Sequence, residues 1–504
     1  MPRILFAFVT LVVLVALCAP RIHAEPSPAD CASCTAVMEG VIKVIGDNAT
    51  QATVVEALEK ECKKLPKLLI LECDKLAKKA ASKLPKLEAT LERYTAHGLC
   101  TILDKCEVKC CETPHTPEQV HLSVTGEPTE MAVTWVTQQS VSQPAVWVSS
   151  NGGSSFSSPL LGTSRTYTKG GWVGYIHTAI MTGLTAGGVN YTYYVGDAGD
   201  SSHDSSSPVF WFKSALPSPQ ASFQVGVVAD MGTVNSADTI RLLSQRAQSG
   251  SMDMMIHAGD ISYADALQHI WDEFLRMVEG ISAYVPYMVC PGNHEIPWLF
   301  TAYRTRFSMP GNSSGSNSNM YYSFDYGIVH FVAINTETIV DEGNVNPDQI
   351  HWLEEDLLKA NQNRDKTPWI VAYFHRPLYC SDHGFDCGDN AKHLRKQLEG
   401  LLHGNKVDLV LTGHQHDYER TYPVYDEKVV STSYHNPGAP TYIVNGVGGN
   451  HEGLRGSYHP GVWSAAHYVE FGYGIITVHN RTALTWDFYV NDGDQLTDSI
   501  TLTK

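Results

Sequence analysis

Seven side chains able to bind a metal follow buried-type strands after residue 222 of this 504-residue chain. Segments with strand character at 223–229, 252–257, 285–290, 369–374 and 407–411 each run directly into carboxylate, phenol, amide or imidazole groups. In open α/β sheets, ligand sites lie beyond the carboxyl ends of the strands, so distant residues can meet there. Oxygen and nitrogen donors of these kinds suit hard or borderline cations. The sequence therefore predicts a metal site made of Asp230, Asp260, Tyr263, Asn293, His375, His414 and His416.

The number of donors predicts two cations. Seven ligands are too many for one tetrahedral zinc and about right for two metals that share a carboxylate. Asp260 is the candidate for the shared residue, because Gly259 removes a side chain where the backbone must approach the site closely. Taken singly, each residue also has an ordinary explanation as a turn, a helix cap or a core histidine. Their joint occurrence favours the metal site.

An α/β domain is predicted to position these residues. From residue 223 onward, strands alternate with helical patterns such as 238–248 and 349–358, which is typical of α/β layers, and we expect this domain to span 220–504. Before it, short alternating segments separated by Gly, Ser and Pro turns predict an all-β sandwich over 118–216. Residues 113–117 are predicted to be a linker.

The N-terminus predicts a secreted protein. An apolar run from Ile4 to Ala19, with small residues around Ala24, indicates a signal peptide over residues 1–24. An uncleaved anchor is the alternative, but this run of about 16 residues is shorter than the roughly 20 that a bilayer needs. We expect the protein outside the cell or in a lysosome or vacuole lumen, as a glycoprotein with acceptor sites at Asn48, Asn190, Asn312 and Asn480. The net charge of −17 argues against nucleic acid as a partner, and the sequence leaves the oligomeric state open.

Cysteines concentrate near the N-terminus. Apart from Cys18 in the predicted signal peptide, most of the 12 cysteines precede residue 112, with helical patterns between them. So short a segment has little core of its own, which predicts a small disulfide-rich all-α unit over 28–112. Spacing alone leaves the connectivity open, and one thiol must stay free or pair elsewhere.

This cysteine pattern resembles that of saposin B-type domains, with Cys31-x2-Cys34, Cys62-x10-Cys73 and Cys100-x5-Cys106. The resemblance implies the bridges Cys31–Cys106, Cys34–Cys100 and Cys62–Cys73. In the α/β region, a further bridge between Cys380 and Cys387 could stiffen the loop that follows His375 and contains His383. Saposin-like units often open to bind lipid, so contact with a lipid or membrane surface is one expectation. The lysine-rich stretch 60–86 is otherwise explained as a solvated helix face.

The motifs of the second half resemble those of the purple acid phosphatases within the calcineurin-like metallophosphoesterases. They are Asp230-Met-Gly, Gly259-Asp-Ile-Ser-Tyr263, Gly292-Asn-His-Glu295, His375 and Gly413-His-Gln-His416, and the likeness extends over about 116–504. It implies a fibronectin III-like sandwich followed by an α/β metallophosphoesterase sandwich of two mixed β-sheets flanked by helices.

By this resemblance, a ferric ion and a divalent ion, Fe(II), Zn or Mn, share the seven ligands. Asp230, Tyr263 and His416 would hold Fe(III); Asn293, His375 and His414 would hold the divalent ion; and Asp260 would bridge them. A phenol with a pKa near 10 is a poor ligand until a highly charged cation removes its proton, so Tyr263 argues for Fe(III). Gly232 stands where many other metallophosphoesterases have a histidine ligand, in agreement with the tyrosine.

The predicted function is acid phosphatase activity on phosphate monoesters. A metal-bound hydroxide would attack phosphorus in line with the leaving group. His294 and His383 are the candidates to protonate the leaving group and, with Asn293, to bind substrate; hydrogen bonding to a metal ligand is the alternative role for either histidine. Two other functions stay open: a lipid-directed phosphodiesterase of the acid sphingomyelinase type, and a non-catalytic lipid- or metal-binding protein.

Overall fold

The structure of the protein, a computed structural model, describes residues 28, 31–32, 34–36, 39, 95–102, 106–200, 205–219, 222–338, 344–382 and 386–504. The described part of the chain divides into two compact units. The first comprises the residues up to Lys109 with 168–173 and 266–269, and the second comprises 110–167, 174–265 and 270–504.

Strands dominate the described residues. In chain order they are β1 Val108–Lys109, β2 Glu118–Ser123, β3 Met131–Thr137, β4 Pro144–Ser149, β5 Leu160–Leu161, β6 Thr163–Arg165, β7 Trp172–Val173, β8 Tyr175–Met181, β9 Asn190–Asp197, β10 Phe210–Lys213, β11 Phe223–Val228, β12 Met254–Ala258, β13 Tyr287–Cys290, β14 Tyr322–Tyr326, β15 Val329–Ala333, β16 Trp369–Tyr373, β17 Leu409–Thr412, β18 Tyr418–Thr421, β19 Val424–Tyr425, β20 Lys428–Val429, β21 Thr441–Asn445, β22 Ser464–Tyr468, β23 Gly472–Asn480, β24 Ala483–Val490 and β25 Gln495–Thr503.

The α-helices are fewer and mostly short. They are α1 Ala96–Ile102, α2 Ala237–Ser249, α3 Gln268–Met277, α4 Glu279–Ser282, α5 Pro297–Arg306, α6 Pro347–Gln362, α7 Ala391–Leu394 and α8 Gly400–Gly404. Single turns of 3-10 or π type occur at Lys169–Gly171, Asn293–Glu295, Asp386–Asn390, Arg395–Glu399 and Asp492–Asp494. Among the described residues, none of the helices has the length and apolar character required to cross a bilayer.

The first unit is held by disulfide bonds around α1. Cys31 is joined to Cys106 and Cys34 to Cys100, and β1 pairs in parallel with β7. Bonds that close such long stretches of chain stabilise a small unit mainly by restricting its unfolded state. The predicted signal peptide 1–24, the Cys62–Cys73 bridge and the acceptor Asn48 lie outside the described residues.

The second unit begins with a β-sandwich. Its two four-stranded sheets have the orders β2-β3-β8-β6 and β10-β9-β4-β5. Alternate residues of both sheets, among them Trp135, Tyr193 and Phe212, are fully buried in one core. This is the burial pattern expected where two antiparallel sheets pack face to face, and the predicted all-β sandwich is confirmed.

Two larger mixed sheets follow. The six-stranded sheet has the order β13-β12-β11-β23-β24-β25, and the seven-stranded sheet has the order β14-β15-β16-β17-β21-β18-β22. One apolar core includes Val225 and Ile256 of the first sheet with Val371 and Ile443 of the second. Since strands β11, β12 and β13 are parallel, as are β15, β16, β17 and β21, their carboxyl ends lie at common sheet edges.

Helices α2 and α6 have sequences that define their ends. Helix α2 buries Ile240, Leu243 and Ala247 and ends at Gly250 in the left-handed conformation, as is common for helix termini. At the start of α6, the side chain of Asn346 accepts hydrogen bonds from the first turn. The predicted helices at 238–248 and 349–358 are confirmed, each with one to four more residues at its ends.

Candidate metal centre

The seven predicted ligands lie just after five strands of the two mixed sheets. Asp230 follows β11, Asp260 and Tyr263 follow β12, and Asn293 follows β13 in the six-stranded sheet. In the seven-stranded sheet, His375 follows β16 and both His414 and His416 follow β17. Asn293 and His414 are partly exposed and the other five are buried.

Three of these residues form one group around the Tyr263 hydroxyl. The Oη atom of Tyr263 lies 3.0 Å from Asp230 Oδ1 and 3.0 Å from His416 Nε2. His416 Nε2 lies 3.4 Å from the same Asp230 oxygen. The other ring nitrogen of His416 contacts the Gly453 carbonyl oxygen at 3.1 Å, which fixes the ring orientation. A phenol, a carboxylate and an imidazole thus direct one atom each toward one point.

A second group forms around His375. Its Nε2 atom lies 3.0 Å from Asp260 Oδ2, 3.2 Å from Asn293 Oδ1 and 3.3 Å from His414 Nδ1. Asp260, His375 and His414 offer ligand atoms that all lie within 4.8 Å of one another. The carbonyl oxygen of Ala258 lies 3.1 Å from His375 Nδ1 and can accept a hydrogen bond from it. The other ring nitrogen, Nε2, is then available to bind a cation.

The spacing of these donors fits bound cations. Metal–ligand bonds of about 2.1 Å at right angles place neighbouring donor atoms about 3.0 Å apart. The contacts within the two groups range from 3.0 to 3.4 Å. Two groups of oxygen and nitrogen donors at this spacing suit two hard or borderline cations.

Tight turns carry the ligands into position. Asp230, Asp260, Tyr263 and His414 have φ angles between 48° and 70°, the left-handed region that non-glycine residues seldom adopt. Such strained backbone is concentrated at functional sites. Gly259 has a φ of 82°, and a Cβ atom there would lie 2.6 Å from His375 Nδ1. This agrees with the expectation that the backbone at residue 259 approaches the site closely.

Burial and charge hold the groups in defined protonation states. Burial raises the pKa of Tyr263 well above 10, and Asp230 and Asp260 raise it further. Burial alone would raise the pKa of Asp260, but His375 and His294 hold it well below its usual range. Burial and Arg376 lower the pKa of His414 to about 4, so this imidazole is neutral and able to bind a cation across most of the acid range.

His294 lies between the centre and a carboxylate. Its Nδ1 atom is 2.6 Å from Asp265 Oδ1, while its Nε2 atom is 3.8 Å from both Asp260 Oδ2 and Glu452 Oε1. Burial alone would lower the pKa of His294, but Asp265 and Asp260 outweigh it and raise the pKa to about 10. His383, the second predicted proton donor, lies outside the described residues.

Arg376 connects two of the predicted ligands to two carboxylates, Glu337 and Asp386. It donates from Nε to Glu337 at 2.8 Å and from Nη1 to Asp386 at 3.0 Å. Its Nη1 lies 2.9 Å from His414 Nε2, and its Nη2 donates to Asn293 Oδ1 at 3.2 Å. Arg376 is thus buried among protein groups and supports two ligands.

Four carboxylates near the centre were not among the predicted residues: Asp265, Glu337, Asp386 and Glu452. Glu452 could have been predicted from the sequence, because strand β21 is also followed by a glycine-rich turn, which leads to His451 and Glu452. Asp265 lies two residues beyond Tyr263. Glu337 and Asp386 reach Arg376 across long loops, and no local pattern marks them.

The remaining predicted features have clear positions. A disulfide joins Cys380 to Cys387, next to the segment that contains Asp386. The sequon residues Asn190, Asn312 and Asn480 are exposed.

Family comparisons cover most of the chain. A model described as calcineurin-like phosphoesterase matches residues 223–418, and the N-terminal domain of purple acid phosphatase matches 117–214. Residues 439–499 match an iron/zinc purple acid phosphatase-like C-terminal model. Residues 29–66 match region 1 of the saposin-like type B domain.

Individual relatives match about three quarters of this chain. Acid phosphatase type 7 of Mus musculus is 36% identical over 397 residues, which is 74% of this chain and 87% of the relative. Probable purple acid phosphatase 20 of Arabidopsis thaliana is 34% identical over 406 residues, or 78% and 89% of the two chains. A purple acid phosphatase structure from yellow lupin seeds superposes with a TM-score of 0.68 at 24% identity, over 77% of this chain and 74% of that one. The predicted fold class is confirmed.

Proposed function

This chain belongs to the purple acid phosphatase family and is an acid phosphatase with a saposin-like N-terminal region, and from that premise we propose how it works. It hydrolyses phosphate monoesters at a centre of one ferric and one divalent ion. The family implies a dinuclear metal centre; the ions and the ligands below are the proposal. The domain boundaries 28–112, 118–216 and 220–504 are part of the same proposal.

The observation that carries the proposal is the contact of Tyr263 with Asp230 and His416. The phenol oxygen lies 3.0 Å from each partner atom, and its burial raises the pKa well above 10. Only a strongly charged cation would remove a proton held this firmly. A ferric ion has that charge, so Asp230, Tyr263 and His416 are assigned to it.

The divalent ion is assigned to Asn293, His375 and His414, with Asp260 shared between the ions. His414 would bind it through Nδ1 as an imidazole that is already neutral, and His375 through Nε2 after loss of a proton; the two nitrogen atoms lie 3.3 Å apart. This set suits Fe(II), Zn or Mn. When bound, the two cations supply Lewis acidity toward the phosphoryl oxygens and activate the attacking water.

His294 is proposed to protonate the leaving group. Asp265 holds the Nδ1 side of the ring at 2.6 Å, so the Nε2 side faces the centre. With a pKa raised to about 10, the imidazole carries its proton throughout the acid range, where an acid phosphatase operates. Asn293 and His294 would contact the substrate, and His383 stays the second candidate on sequence grounds.

Metal content and visible absorption test the ligand assignment. The purified protein is expected to contain one iron and one divalent ion and to show a tyrosinate-to-ferric charge-transfer band. Tyr263→Phe should abolish this band and most phosphatase activity. Tyr303→Phe is the matched control, because Tyr303 is also buried and hydrogen-bonded but contacts backbone carbonyls instead. A band that persists in Tyr263→Phe would refute the ferric assignment.

Substrate preference tests the reaction class. Turnover of an aryl phosphate monoester should exceed that of a phosphocholine diester by orders of magnitude. Exclusive diesterase activity would favour the lipid-directed alternative, and metal-loaded protein without activity on either compound would favour the non-catalytic one.

We also propose that the protein is a secreted or lysosomal glycoprotein whose saposin-like region contacts lipid surfaces. The exposed acceptors Asn190, Asn312 and Asn480 support glycosylation. Peptide mass spectrometry before and after removal of N-glycans would test them, and sedimentation with anionic vesicles would test lipid contact.

A further inference from the structure

Two adjacent cysteines, Cys110 and Cys111, lie buried in side-chain contact. Their exposed fractions are 2% and 6%, and their Sγ atoms lie 2.7 Å apart. Atoms that are not bonded pack at about 3.5–4.0 Å, whereas a disulfide bond is about 2.05 Å long. The two sulfur atoms are therefore closer than separate thiols normally pack, and a small rotation brings them to bonding distance.

The peptide group between these cysteines is held from both sides. Arg276 Nη1 donates to the Cys110 carbonyl oxygen at 2.9 Å, and the Cys111 N–H donates to Gln138 Oε1 at 3.3 Å. Arg276 is itself held by Glu118 at 3.1 Å. These contacts fix the backbone in the conformation that turns both side chains toward each other.

The other cysteines that the structure describes are either already paired or, in the case of Cys290, buried in another part of the fold. Within the described part of the chain, Cys31, Cys34, Cys100, Cys106, Cys380 and Cys387 are already paired. Cys290 is the third free cysteine there, and it is fully buried in strand β13 among the hydrophobic core residues. A bond between Cys110 and Cys111 therefore leaves Cys290 as the odd thiol in this part of the chain.

We propose that Cys110 and Cys111 form a vicinal disulfide that is a reducible site of the mature protein. The two thiols lose their protons and one Sγ–Sγ bond forms. The two electrons pass to a small-molecule disulfide such as glutathione disulfide, whose S–S bond breaks to give two thiols. Reduction by a dithiol is the reverse of this exchange.

The position of the bond makes it labile. Neighbouring Cα atoms are about 3.8 Å apart across a trans peptide, less than the roughly 4.4–6.8 Å usual for disulfides, and departures of this kind make a disulfide easier to reduce. A bond between neighbours also closes almost no loop, so it restricts the unfolded chain little. Its role is therefore redox sensitivity, in contrast to the long-range bonds of the first unit.

Thiol counting on the full chain tests the bond. The protein is unfolded in denaturant without reductant and labelled with a maleimide, because the native pair is buried and contact with Cys110 and burial raise the pKa of Cys111. In the mature protein, without the predicted signal peptide and with Cys62 paired to Cys73 as the saposin resemblance implies, the expected intact mass shows one label, on Cys290, and the peptide with residues 110 and 111 is lighter by two hydrogen atoms. Labels on both Cys110 and Cys111, or a disulfide from either one to another cysteine, would refute the proposal.

Three variants make the count specific. Cys290→Ser should show no label, and Cys110→Ser should gain one label on Cys111. In a graded dithiothreitol series in the same denaturant, labels at Cys110 and Cys111 should appear at lower reductant than labels at Cys380 and Cys387. The double variant Cys110→Ser/Cys111→Ser should keep the melting temperature of the wild type within a few degrees. Reduction of Cys380–Cys387 first, or a large loss of stability in the double variant, would refute the redox-sensitive role.

Discussion

The imidazole of His414 has different partners for its two nitrogen atoms. Nδ1 points to His375 Nε2 at 3.3 Å, the side assigned to the divalent ion. An imidazole that binds a cation through Nδ1 carries its proton on Nε2, and that proton needs an acceptor. Among the described residues, Asp386 Oδ2 lies 3.3 Å from Nε2 and can accept a hydrogen bond from it, whereas Arg376 Nη1, 2.9 Å from Nε2, can only donate and must turn its hydrogen away when Nε2 carries the proton. Asp386 is therefore the residue that would hold the His414 tautomer on which the proposed metal binding depends.

Replacement of Asp386 by asparagine should weaken binding of the divalent ion. Removal of a carboxylate that accepts a hydrogen bond from a histidine ligand typically lowers metal affinity about 10–100-fold. In Asp386→Asn we expect a loss of this size in divalent-ion affinity, measured by metal-buffered titration, together with an unchanged tyrosinate-to-ferric band. Activity should recover when excess divalent ion is added.

Asp389→Asn is the matched control for this prediction. Asp389 lies in the same turn, Asp386–Asn390, and is exposed. The control should retain the wild-type affinity. Equal losses in both variants would mean that the turn as a whole, and not the Asp386 carboxylate, supports the site.

At the scale of secondary structure, the ends of strands were the most predictable feature. Buried strands of apolar residues followed by polar groups can be recognised locally, and parallel neighbours bring their carboxyl ends together. All seven expected ligands lie at such ends. The partners of Arg376 could not be predicted, because Glu337 and Asp386 meet it through tertiary packing of loops that have no periodic pattern.

The turn after β12 depends on the absence of a side chain at Gly259. A Cβ atom there would lie 2.6–2.7 Å from three atoms of His375, and the φ angle of 82° already disfavours any other residue. Gly259→Ala should therefore displace His375 and reduce divalent-ion content and activity by at least tenfold.

Gly183→Ala separates this clash from the backbone effect. Gly183 has a similar φ of 72°, but no atom of the described residues lies within 4 Å of the position that its Cβ would take. This control should lose only about 1–2 kcal/mol of stability and keep full activity per folded molecule. Similar activity losses in both variants would show that backbone strain, and not the contact with His375, is responsible.

An ion cluster of one buried histidine and two carboxylates, one of them exposed, joins the β14–β15 hairpin to helix α6. His330 on β15 contacts Asp325 Oδ1 on β14 at 2.7 Å and Asp356 Oδ2 on α6 at 3.0 Å. Burial alone would lower the pKa of His330, but the hydrogen bonds to the two carboxylates raise it to about 9. Since the unfolded value is about 6.5, the ion cluster stabilises the fold fully below pH 6.5 and is lost as the pH rises through 9.

His330→Gln should accordingly destabilise the protein most at acid pH. The difference in unfolding free energy from wild type is expected to reach at most about 3 kcal/mol below pH 6.5 and to shrink toward pH 9.5. Urea unfolding at pH 5.5, 7.5 and 9.5 measures it. His351→Gln, at an exposed histidine of the same helix, should change little at any pH. A His330→Gln difference that does not vary with pH would contradict this explanation.

At the scale of the whole second unit, the candidate centre is supplied by both mixed sheets. Asp230, Asp260 and Asn293 follow strands of the six-stranded sheet, whereas His375 and His414 follow strands of the seven-stranded one. Cations bound by these residues, as proposed, would link the two sheets directly. Because the complete ligand set exists only in the folded protein, metal binding should stabilise that state.

Removal of the divalent ion should lower the melting temperature, and the size of the effect should depend on pH. At a free-ion concentration 1,000 times the dissociation constant, binding contributes about 4 kcal/mol, which corresponds to several degrees. Burial alone would lower the pKa of His375, but Asp260 and Asp230 raise it to about 10, so the ion must displace a proton there. Displacement becomes harder as the pH falls, and the stabilisation by the ion should be smaller at pH 5 than at pH 7. Calorimetry in metal buffers at both values tests this, with His375→Ala as the control that should not respond to the ion. A gain that is larger at pH 5 would exclude proton displacement from His375.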